Sequence, residues 1–402
     1  MAAVGQIQIG GRQAGCGIAY PLSEPSPISD SFGISGGSWL AEVAVGNQWI
    51  VARTSDRVGR AEVITLGLEA SQQALDVFCF EKRLRLQLKS PSDRHFAVYC
   101  ADGACVLGHH CTSDLRFAFG GGVNMVVTDA AGNVVAPNLP PRSWTAGLRY
   151  YRLSQTSGDL YEAYRYLRLS FEAMLHAICP QNAGEREGEW VLRAISTLGG
   201  KINLTSFVPR GVTNAAACLH GTHYEHVRCR LFHSKSMGAP IDLPSPEKVA
   251  QAYESLVGLV RLSASEYLAV RPGASGGMTH AGFRLLMDGV SDALTMHFTE
   301  DMSPATRDDT AVSPMGLRTF ALDKATYDAE SKPGKVDFVG SVRVNDGTDG
   351  LVVGRVCATT RDVLLLADLI EHGLLLSDID VLESRQSVRM INNELPRTVF
   401  SH

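Results

Sequence analysis

One segment of the chain concentrates the side chains that can transfer a proton and hold a phosphate. Residues 224–235 read Tyr-Glu-His-Val-Arg-Cys-Arg-Leu-Phe-His-Ser-Lys, and four residues separate Arg228 from His233. A histidine transfers protons near neutral pH, and a guanidinium stabilises the charge of a phosphate. These residue types at this spacing are therefore suited to cleavage of a phosphodiester bond.

The apolar residues of the same segment predict the element that holds these groups. Val227, Leu231 and Phe232 recur at helical spacing. This pattern indicates a helix with one buried face and cationic side chains beside it. The alternative is a partly buried helix whose arginines and histidines are solvated or paired in salt bridges, and the spacing alone leaves both interpretations open.

The motif Arg228-Cys-Arg-Leu-Phe-His233 resembles the Arg-x4-His signature of the HEPN superfamily, in its R-C-x-L-F-H form. Residues 160–178 resemble the long first helix of such domains, particularly in the ApeA-like and MauJ-like branches. The resemblance covers residues 146–272 and implies an antiparallel helical bundle with Arg228 and His233 on its third long helix. One position departs from the family pattern, because the residue after the motif arginine is usually polar and here it is Cys229.

Many members of this superfamily are metal-independent ribonucleases of toxin or phage-defence systems, whereas others only bind. The resemblance therefore implies an endoribonuclease in which Arg228 holds the scissile phosphate. His233 would act as general base on the ribose 2′-hydroxyl or as general acid on the leaving 5′-oxygen. Possible further contacts to the substrate are Arg230, Lys235, Tyr224 and His226.

The same resemblance implies a homodimer or higher oligomer in which two copies of the motif line one cleft. It implies neither a metal nor another cofactor at that cleft, and its expected substrate partner is RNA. The competing function is that of a non-catalytic HEPN-type dimerisation or RNA-binding scaffold protein. Cys229 favours this second function, because it replaces the usual polar residue.

Composition narrows the class of protein. The chain has 402 residues, of which 45% are hydrophobic and 20% charged, the profile of a globular protein with a large core. A net charge of −5 argues against a surface coated in positive charge for bulk nucleic-acid binding, so any RNA contact is expected to be local. Nine cysteines without a framework spacing favour reduced thiols in the cytoplasm. The sequence predicts no signal peptide and no membrane partner.

A group of cysteines and histidines has the ligand types of a zinc site. The group consists of Cys100, Cys105, His109, His110 and Cys111. It contains no Cys-x-x-Cys pair, and the first two cysteines fall on opposite arms of a predicted hairpin. We therefore interpret these residues as buried side chains of a β-sheet.

Three further motifs also have simpler structural interpretations. Gly33-Ile-Ser-Gly-Gly37 matches the hydrolase motif Gly-x-Ser-x-Gly, but a strand rather than a helix is predicted to follow it. Gly120-Gly-Gly122 lacks the lysine of a phosphate-binding loop. Ser377-Asp-Ile-Asp380 offers two carboxylates but is typical of a solvated turn.

The apolar pattern predicts an α+β multidomain fold with three domains. Residues 1–145 are expected to form a mainly-β domain, residues 146–272 the HEPN-like helical bundle, and residues 273–402 an α+β region of unknown role. The outer domains are expected to sense a trigger or bind a regulatory protein. The predicted elements include helices at 69–83, 158–178, 189–196 and 361–372, hairpins at 39–53, 95–107 and 124–136, and strands at 282–287, 336–344 and 351–357.

Overall fold

The structure is a computed structural model, and it describes most of the 402 residues. The described residues are 1–34, 37–117, 128–134, 141–209, 211–228, 246–270, 278, 280–291, 294–306, 317–323, 326–332, 334–344, 348–360 and 363–392.

The chain divides into two compact units. Residues 1–118 and 277–393 together form the first, which we call the β unit. Residues 119–276 with 394–402 form the second, which we call the helical unit. Residues on both sides of 119–276 therefore contribute to the β unit, and the main part of the helical unit is inserted between them in sequence.

Two sheets and two α-helices make up the described part of the β unit. Its strands are β1 (Ala2–Val4), β2 (Ile7–Gly10), β3 (Cys16–Pro21), β4 (Asp30–Gly33), β5 (Trp39–Val43), β6 (Trp49–Thr54), β7 (Arg94–Ala101), β8 (Ala104–Phe117), β9 (Leu294–Thr299), β10 (Thr319–Ala321), β11 (Thr326–Lys332), β12 (Lys335–Arg343), β13 (Leu351–Thr360), β14 (Val363–Leu376) and β15 (Val381–Asn392). Its helices are α1 (Arg60–Lys82) and α7 (His280–Ser291).

Both sheets mix strands from the two ends of the chain. The nine-stranded sheet has the order β11-β12-β15-β8-β7-β3-β6-β5-β4, and the six-stranded sheet the order β10-β9-β13-β14-β1-β2. β15 pairs with β8 in parallel, from Val381 opposite Val106 to Asn392 opposite Phe117, and the other described pairs are antiparallel. Strands distant in sequence thus meet in the centre of the larger sheet.

The two sheets share one apolar core, and helix α1 covers the other face of the larger sheet. Val98 and Leu107 of the larger sheet pack in one buried cluster with Phe298 and Val356 of the smaller. A separate buried cluster joins α1 to the larger sheet and includes Phe78 of the helix and Ile18 of β3. Because side chains alternate along a strand, β8 presents odd-numbered residues such as Leu107 to the smaller sheet.

The helical unit contains five described α-helices, one 3₁₀ segment and one π-helical segment. They are α2 (Ala146–Thr156), α3 (Leu160–Ile178), α4 (Glu187–Leu198), a 3₁₀ segment (Leu204–Phe207), α5 (Ala215–His220), a π-helical segment (Gly221–Arg228) and α6 (Pro246–Leu268). Asp159 caps α3 by accepting a hydrogen bond from the Glu162 amide, and the helix ends just before Pro180. Its buried side contributes Leu167 and Phe171 to the core of the unit.

The predicted fold class is wrong. The chain does not consist of a mainly-β N-terminal domain, a central antiparallel helical bundle and an α+β C-terminal region in series. It is a mixed α+β fold dominated by sheets of six and nine strands. The physical reason is that β15, from the C-terminal end, lies between β8 and β12 and forms hydrogen bonds with both. Neither end of the chain therefore completes the larger sheet without the other.

Two predictions near the C-terminal end are wrong: one predicted strand is a helix, and one predicted helix is a strand. Residues 282–287 were predicted as a strand, but they lie in helix α7, where Phe283 and Met287 are buried four residues apart. Residues 361–372 were predicted as a helix, but residues 363–372 belong to strand β14, which lies between β13 and β1. Apolar runs with few polar residues fit either element, and tertiary pairing decides between them.

Other predicted elements are confirmed. The hairpin of β5 with β6, the hairpin of β7 with β8, and the helices α3 and α4 lie where the pattern places them. Helix α1 begins earlier than predicted, at Arg60. The hairpin predicted at 124–136 lies largely outside the described residues, apart from a bridge between Thr128 and Val134.

Candidate functional site

The first part of the motif segment is helical, and the rest lies outside the described residues. The π-helical segment Gly221–Arg228 follows α5 directly and ends at Arg228. The side chain of Arg228 and all atoms of Arg230, His233 and Lys235 lie outside the described part of the chain. The pairing of Arg228 with His233 therefore stays a prediction.

The π-helical segment has one buried and one exposed side, as its apolar pattern predicts. His223 and Val227 are buried in the core of the helical unit, whereas Glu225 and His226 are exposed. Tyr224 is partly buried, and its ring stacks on His220 at a centroid distance of 5.1 Å. His226, a predicted substrate contact, thus lies on the exposed side of the helix that leads into the motif. Tyr224, another predicted contact, packs against the core of the helical unit and is only partly accessible.

A buried cation lies against this segment. Arg168 of α3 is fully buried, and its guanidinium carbon lies 6.0 Å from the centroid of the Tyr224 ring. Its Nη2 lies 2.9 Å from Oε1 of Glu172, but off the direction of a hydrogen bond. Among the described residues, none of its three guanidinium nitrogens has a hydrogen-bond acceptor. The segment therefore packs on a positive charge that is compensated by one ion pair.

The buried histidine of the segment is unsuited to proton transfer near neutral pH. Burial, with the positive charge of Arg168 as a second cause, lowers the pKa of His223 to about 3. The His223 Nδ1 lies 3.3 Å from the Tyr164 hydroxyl, and its Nε2 lies 3.5 Å from Oγ of Ser255. His223 is thus a neutral, hydrogen-bonded core residue, and it leaves the acid–base role to other histidines of the segment.

Arg168 was missed as a charged neighbour of the motif, although the sequence contained a signal. The buried face of α3 includes Tyr164, Leu167 and Phe171, and Arg168 falls on that same face. A charged residue at an apolar position of a helical stripe indicates a buried charge.

A second polar cluster lies between the two sheets of the β unit. The His109 Nε2 lies 2.9 Å from Oδ2 of Asp368, and its Nδ1 lies 3.0 Å from Oγ of Ser384. Arg94 donates from Nε to the same Asp368 oxygen at 3.2 Å. Burial alone would raise the pKa of Asp368, but the hydrogen bond from His109 and the charge of Arg94 together lower it.

This cluster contains the residue types of a serine hydrolase triad without its geometry. Ser384 and His109 are fully buried, so a substrate has no access to the hydroxyl. The serine also contacts Nδ1 of the histidine, whereas the triad places it at Nε2. The arrangement can position His109 and Asp368, and it is not suited to acyl transfer.

The five residues considered as zinc ligands do not come together as one set. Cys100 and Cys105 pair across the β7–β8 hairpin, and His110 stacks on His95 with ring centroids 4.8 Å apart. Two of the five, His109 and Cys111, instead converge with Asp368, and their potential ligand atoms all lie within 4.8 Å of one another. Asp368 was missed because its segment was predicted as a helix in a separate domain.

The remaining motifs behave as structural features where they are described. Asp378 and Asp380 form ion pairs with Arg12 at 3.2 and 3.3 Å, which fixes the turn between β14 and β15. Strand β5 follows the Gly-x-Ser-x-Gly motif, as predicted. The serine of that motif, Ser35, lies outside the described residues. The residues Gly120–Gly122 also lie outside them.

Comparisons with known proteins add no relative. No family model, no curated protein and no solved structure matches the chain. Within the described part of the chain, no helix combines the length and apolar character needed to cross a membrane.

Proposed function

We propose that the chain is a metal-independent endoribonuclease that cleaves RNA at Arg228 and His233. One observation supports this proposal best: the segment entering the motif is a helix with a buried side anchored by Val227 and an exposed side bearing His226. π-helical turns are rare and occur frequently at functional sites. Such a helix can present the motif that follows it to a substrate while its own position is fixed by the core.

The chemistry follows from the two residue types. His233 removes the proton of a ribose 2′-hydroxyl, and the resulting oxygen attacks the neighbouring phosphorus. Arg228 stabilises the additional negative charge on the phosphate, and the 5′-oxygen leaves with a proton from a second acid. The products are a 2′,3′-cyclic phosphate and a 5′-hydroxyl, and DNA survives because it lacks the nucleophile. Arg230, Lys235, Tyr224 and His226 are the proposed substrate contacts.

A homodimer would supply the second acid. If residues 228–233 continue as an α-helix, residues five positions apart are separated by about 140°, so one chain does not aim both Arg228 and His233 at one phosphate. A two-fold axis places two arginines and two histidines around a shared groove. In this arrangement the two histidines divide the base and acid roles between them.

The biological role we propose is that of a toxin or phage-defence effector in the cytoplasm. A ribonuclease of this kind damages its own cell unless it is restrained, so the β unit would respond to a trigger or a regulatory protein. The second candidate function is an RNA-binding or dimerisation scaffold without catalysis. The observation that favours it is Cys229, which replaces the polar residue usual at that position of the motif.

An RNA cleavage assay in EDTA with variants of the motif tests the proposal and distinguishes the two candidate functions. Labelled RNA is incubated with the wild-type chain and with Arg228→Ala, His233→Ala and Lys248→Ala proteins. Lys248 is an exposed cation of α6 outside the motif, so its variant controls for lost charge. We expect cleavage by the wild type and Lys248→Ala and none by the motif variants. Equal cleavage by all four proteins would overturn the proposal, and RNA binding without cleavage by any of them would favour the scaffold.

A further inference from the structure

We propose that His109, Cys111 and Asp368 form a zinc-binding site between the two sheets of the β unit. His109 and Cys111 are two residues apart on β8, so their side chains point to the same face, toward the smaller sheet. Asp368 approaches from β14 of that sheet. The three potential ligand atoms lie within 4.8 Å of one another. This site is independent of the proposed ribonuclease motif, which lies in the other unit.

The neighbours of His109 and Asp368 already hold these two ligands in orientations suited to a metal. The hydrogen bond of 3.0 Å between His109 Nδ1 and Ser384 directs the opposite nitrogen, Nε2, toward Asp368. The rings of Phe96 and Phe298 flank His109 at centroid distances of 5.3 and 6.3 Å. Arg94 holds the Asp368 carboxylate through contacts of 3.1 and 3.2 Å. Outer hydrogen bonds of this kind orient histidine and carboxylate ligands in metal sites.

The donor set selects the metal. One imidazole nitrogen, one thiolate and one carboxylate oxygen are ligands that Zn²⁺ accepts together, whereas Mg²⁺ and Ca²⁺ prefer sites made of oxygen alone. The three side chains leave a fourth tetrahedral position for water. The Nε2 and Oδ2 atoms, 2.9 Å apart, need to separate only slightly. Two zinc bonds of about 2.0 Å at a tetrahedral angle place their atoms about 3.3 Å apart.

The charges and protons of the site balance when zinc binds. The Cys111 thiol loses its proton to solvent as its sulfur bonds to the metal. The His109 proton moves from Nε2 to Nδ1, and the Nδ1–H group then donates a hydrogen bond to Oγ of Ser384. The serine can accept this bond because a hydroxyl both donates and accepts hydrogen bonds. The thiolate and the Asp368 carboxylate then neutralise the two positive charges of the ion.

Cobalt substitution in the full-length protein tests the site. The reduced, chelator-treated chain is titrated with Co²⁺, and a thiolate-to-cobalt charge-transfer band is recorded in the near ultraviolet. We expect one equivalent of Co²⁺ to give this band in the wild type, and one equivalent of Zn²⁺ to abolish it. Cys111→Ser should remove the band and weaken zinc binding at least about 10-fold, as measured by competition with a chromophoric chelator.

Two other cysteines provide matched controls. Cys105→Ser removes a buried thiol of the same strand, and Cys229→Ser removes the thiol of the motif; both variants should keep the band. Asp368→Asn should keep the band but weaken the affinity, which tests the site even if Cys111→Ser does not fold. Absence of the band in the wild type, its retention in Cys111→Ser, or unchanged affinity in Asp368→Asn would overturn the proposal.

Discussion

Several ionisable residues of this protein are buried, and their partners determine how the fold responds to pH. His223 is neutral in the folded protein because burial and Arg168 disfavour its charged form. Its folded pKa of about 3 lies below the ordinary value of 6.5, so the unfolded chain binds more protons between these values. The stability that neutral His223 provides is therefore complete above pH 6.5 and is lost as the pH falls toward 3.

We predict that His223→Gln makes the helical unit less sensitive to acid. Glutamine retains hydrogen-bonding groups but does not titrate. Each pH unit below 6.5 should cost the wild type about 1.4 kcal/mol more of unfolding free energy than the variant. Urea unfolding followed by circular dichroism between pH 7 and pH 4 measures the difference. The exposed residue His226 gives the control, since His226→Gln should follow the wild-type pH dependence; identical slopes for all three proteins would contradict the burial argument.

Glu300 and Asp301 are adjacent in the β unit, and each forms an ion pair with an arginine; the two arginines differ in burial. Asp301 and Arg355 are both buried, and their ion-pair distance is 2.6 Å. We predict that Asp301→Asn lowers the unfolding free energy by about 3–5 kcal/mol, because it leaves the Arg355 charge buried without its carboxylate. Glu300 pairs with the exposed Arg318, and Glu300→Gln should change stability little. Chemical denaturation of both variants decides, and equal effects would show that burial is not the cause.

At the residue scale, sequence patterns located charged groups but not their partners. The motif segment and the apolar positions of α3 were evident from residue type and spacing. The contact of His109 with Asp368 joins residues 259 positions apart, so local spacing contains no signal for it. The same holds for Arg389, which binds both Asp93 and Asp114. Such pairs follow from the register of the sheets, which a single sequence does not reveal.

Helix α1 shows how packing overrides helix propensity at the scale of an element. A Cβ atom on Gly67 would lie 2.2 Å from Cγ2 of Ile18 on β3, so glycine is required for the close approach of the helix to the sheet. Gly289 of α7 has no atom within 4 Å of the equivalent position. The two glycines therefore form a matched pair, one constrained by tertiary contact and one not.

We predict opposite effects of alanine at these two positions. Gly67→Ala should destabilise the β unit by about 1–3 kcal/mol through overpacking, despite the better helix propensity of alanine. Gly289→Ala should stabilise it by about 0.5–1 kcal/mol, because alanine loses less backbone entropy in a helix. Thermal unfolding of the two variants measures both effects. Stabilisation by Gly67→Ala would mean that α1 does not approach the sheet as closely as described.

Elements with clear periodicity were predictable, and apolar runs were not. The hairpins of β5–β6 and β7–β8 have alternating patterns and turn residues, and helix α3 has a clear stripe and an N-cap. Strand β14 is apolar on both sides at its C-terminal end, and α7 is short with exposed Leu285 and Leu286. Neither has a period that separates helix from strand, so neighbouring strands determine their type.

At the scale of the whole molecule, the two ends of the chain depend on each other. β15 lies between β8 and β12 in the larger sheet, and β14 lies between β13 and β1 in the smaller. We predict that residues 1–118 expressed alone do not fold, because β8 and β1 then lose a strand neighbour and the apolar face of the larger sheet that includes Leu107 is left exposed. Co-expression with residues 277–393 should restore a soluble complex detectable by co-purification. A folded, monomeric fragment 1–118 would contradict this interdependence.

We propose that His233 and Arg228 cleave RNA through the ribose 2′-hydroxyl, and analysis of the product ends tests this mechanism most directly. An RNA oligonucleotide and its fully 2′-O-methylated counterpart are incubated in EDTA with the wild type and with His233→Ala, and the products are identified by mass spectrometry. We expect the wild type to produce 2′,3′-cyclic phosphate and 5′-hydroxyl ends from the unmodified RNA alone, and His233→Ala to produce none. Products with 5′-phosphate ends, cleavage of the methylated RNA, or undiminished cleavage by His233→Ala would contradict the claim.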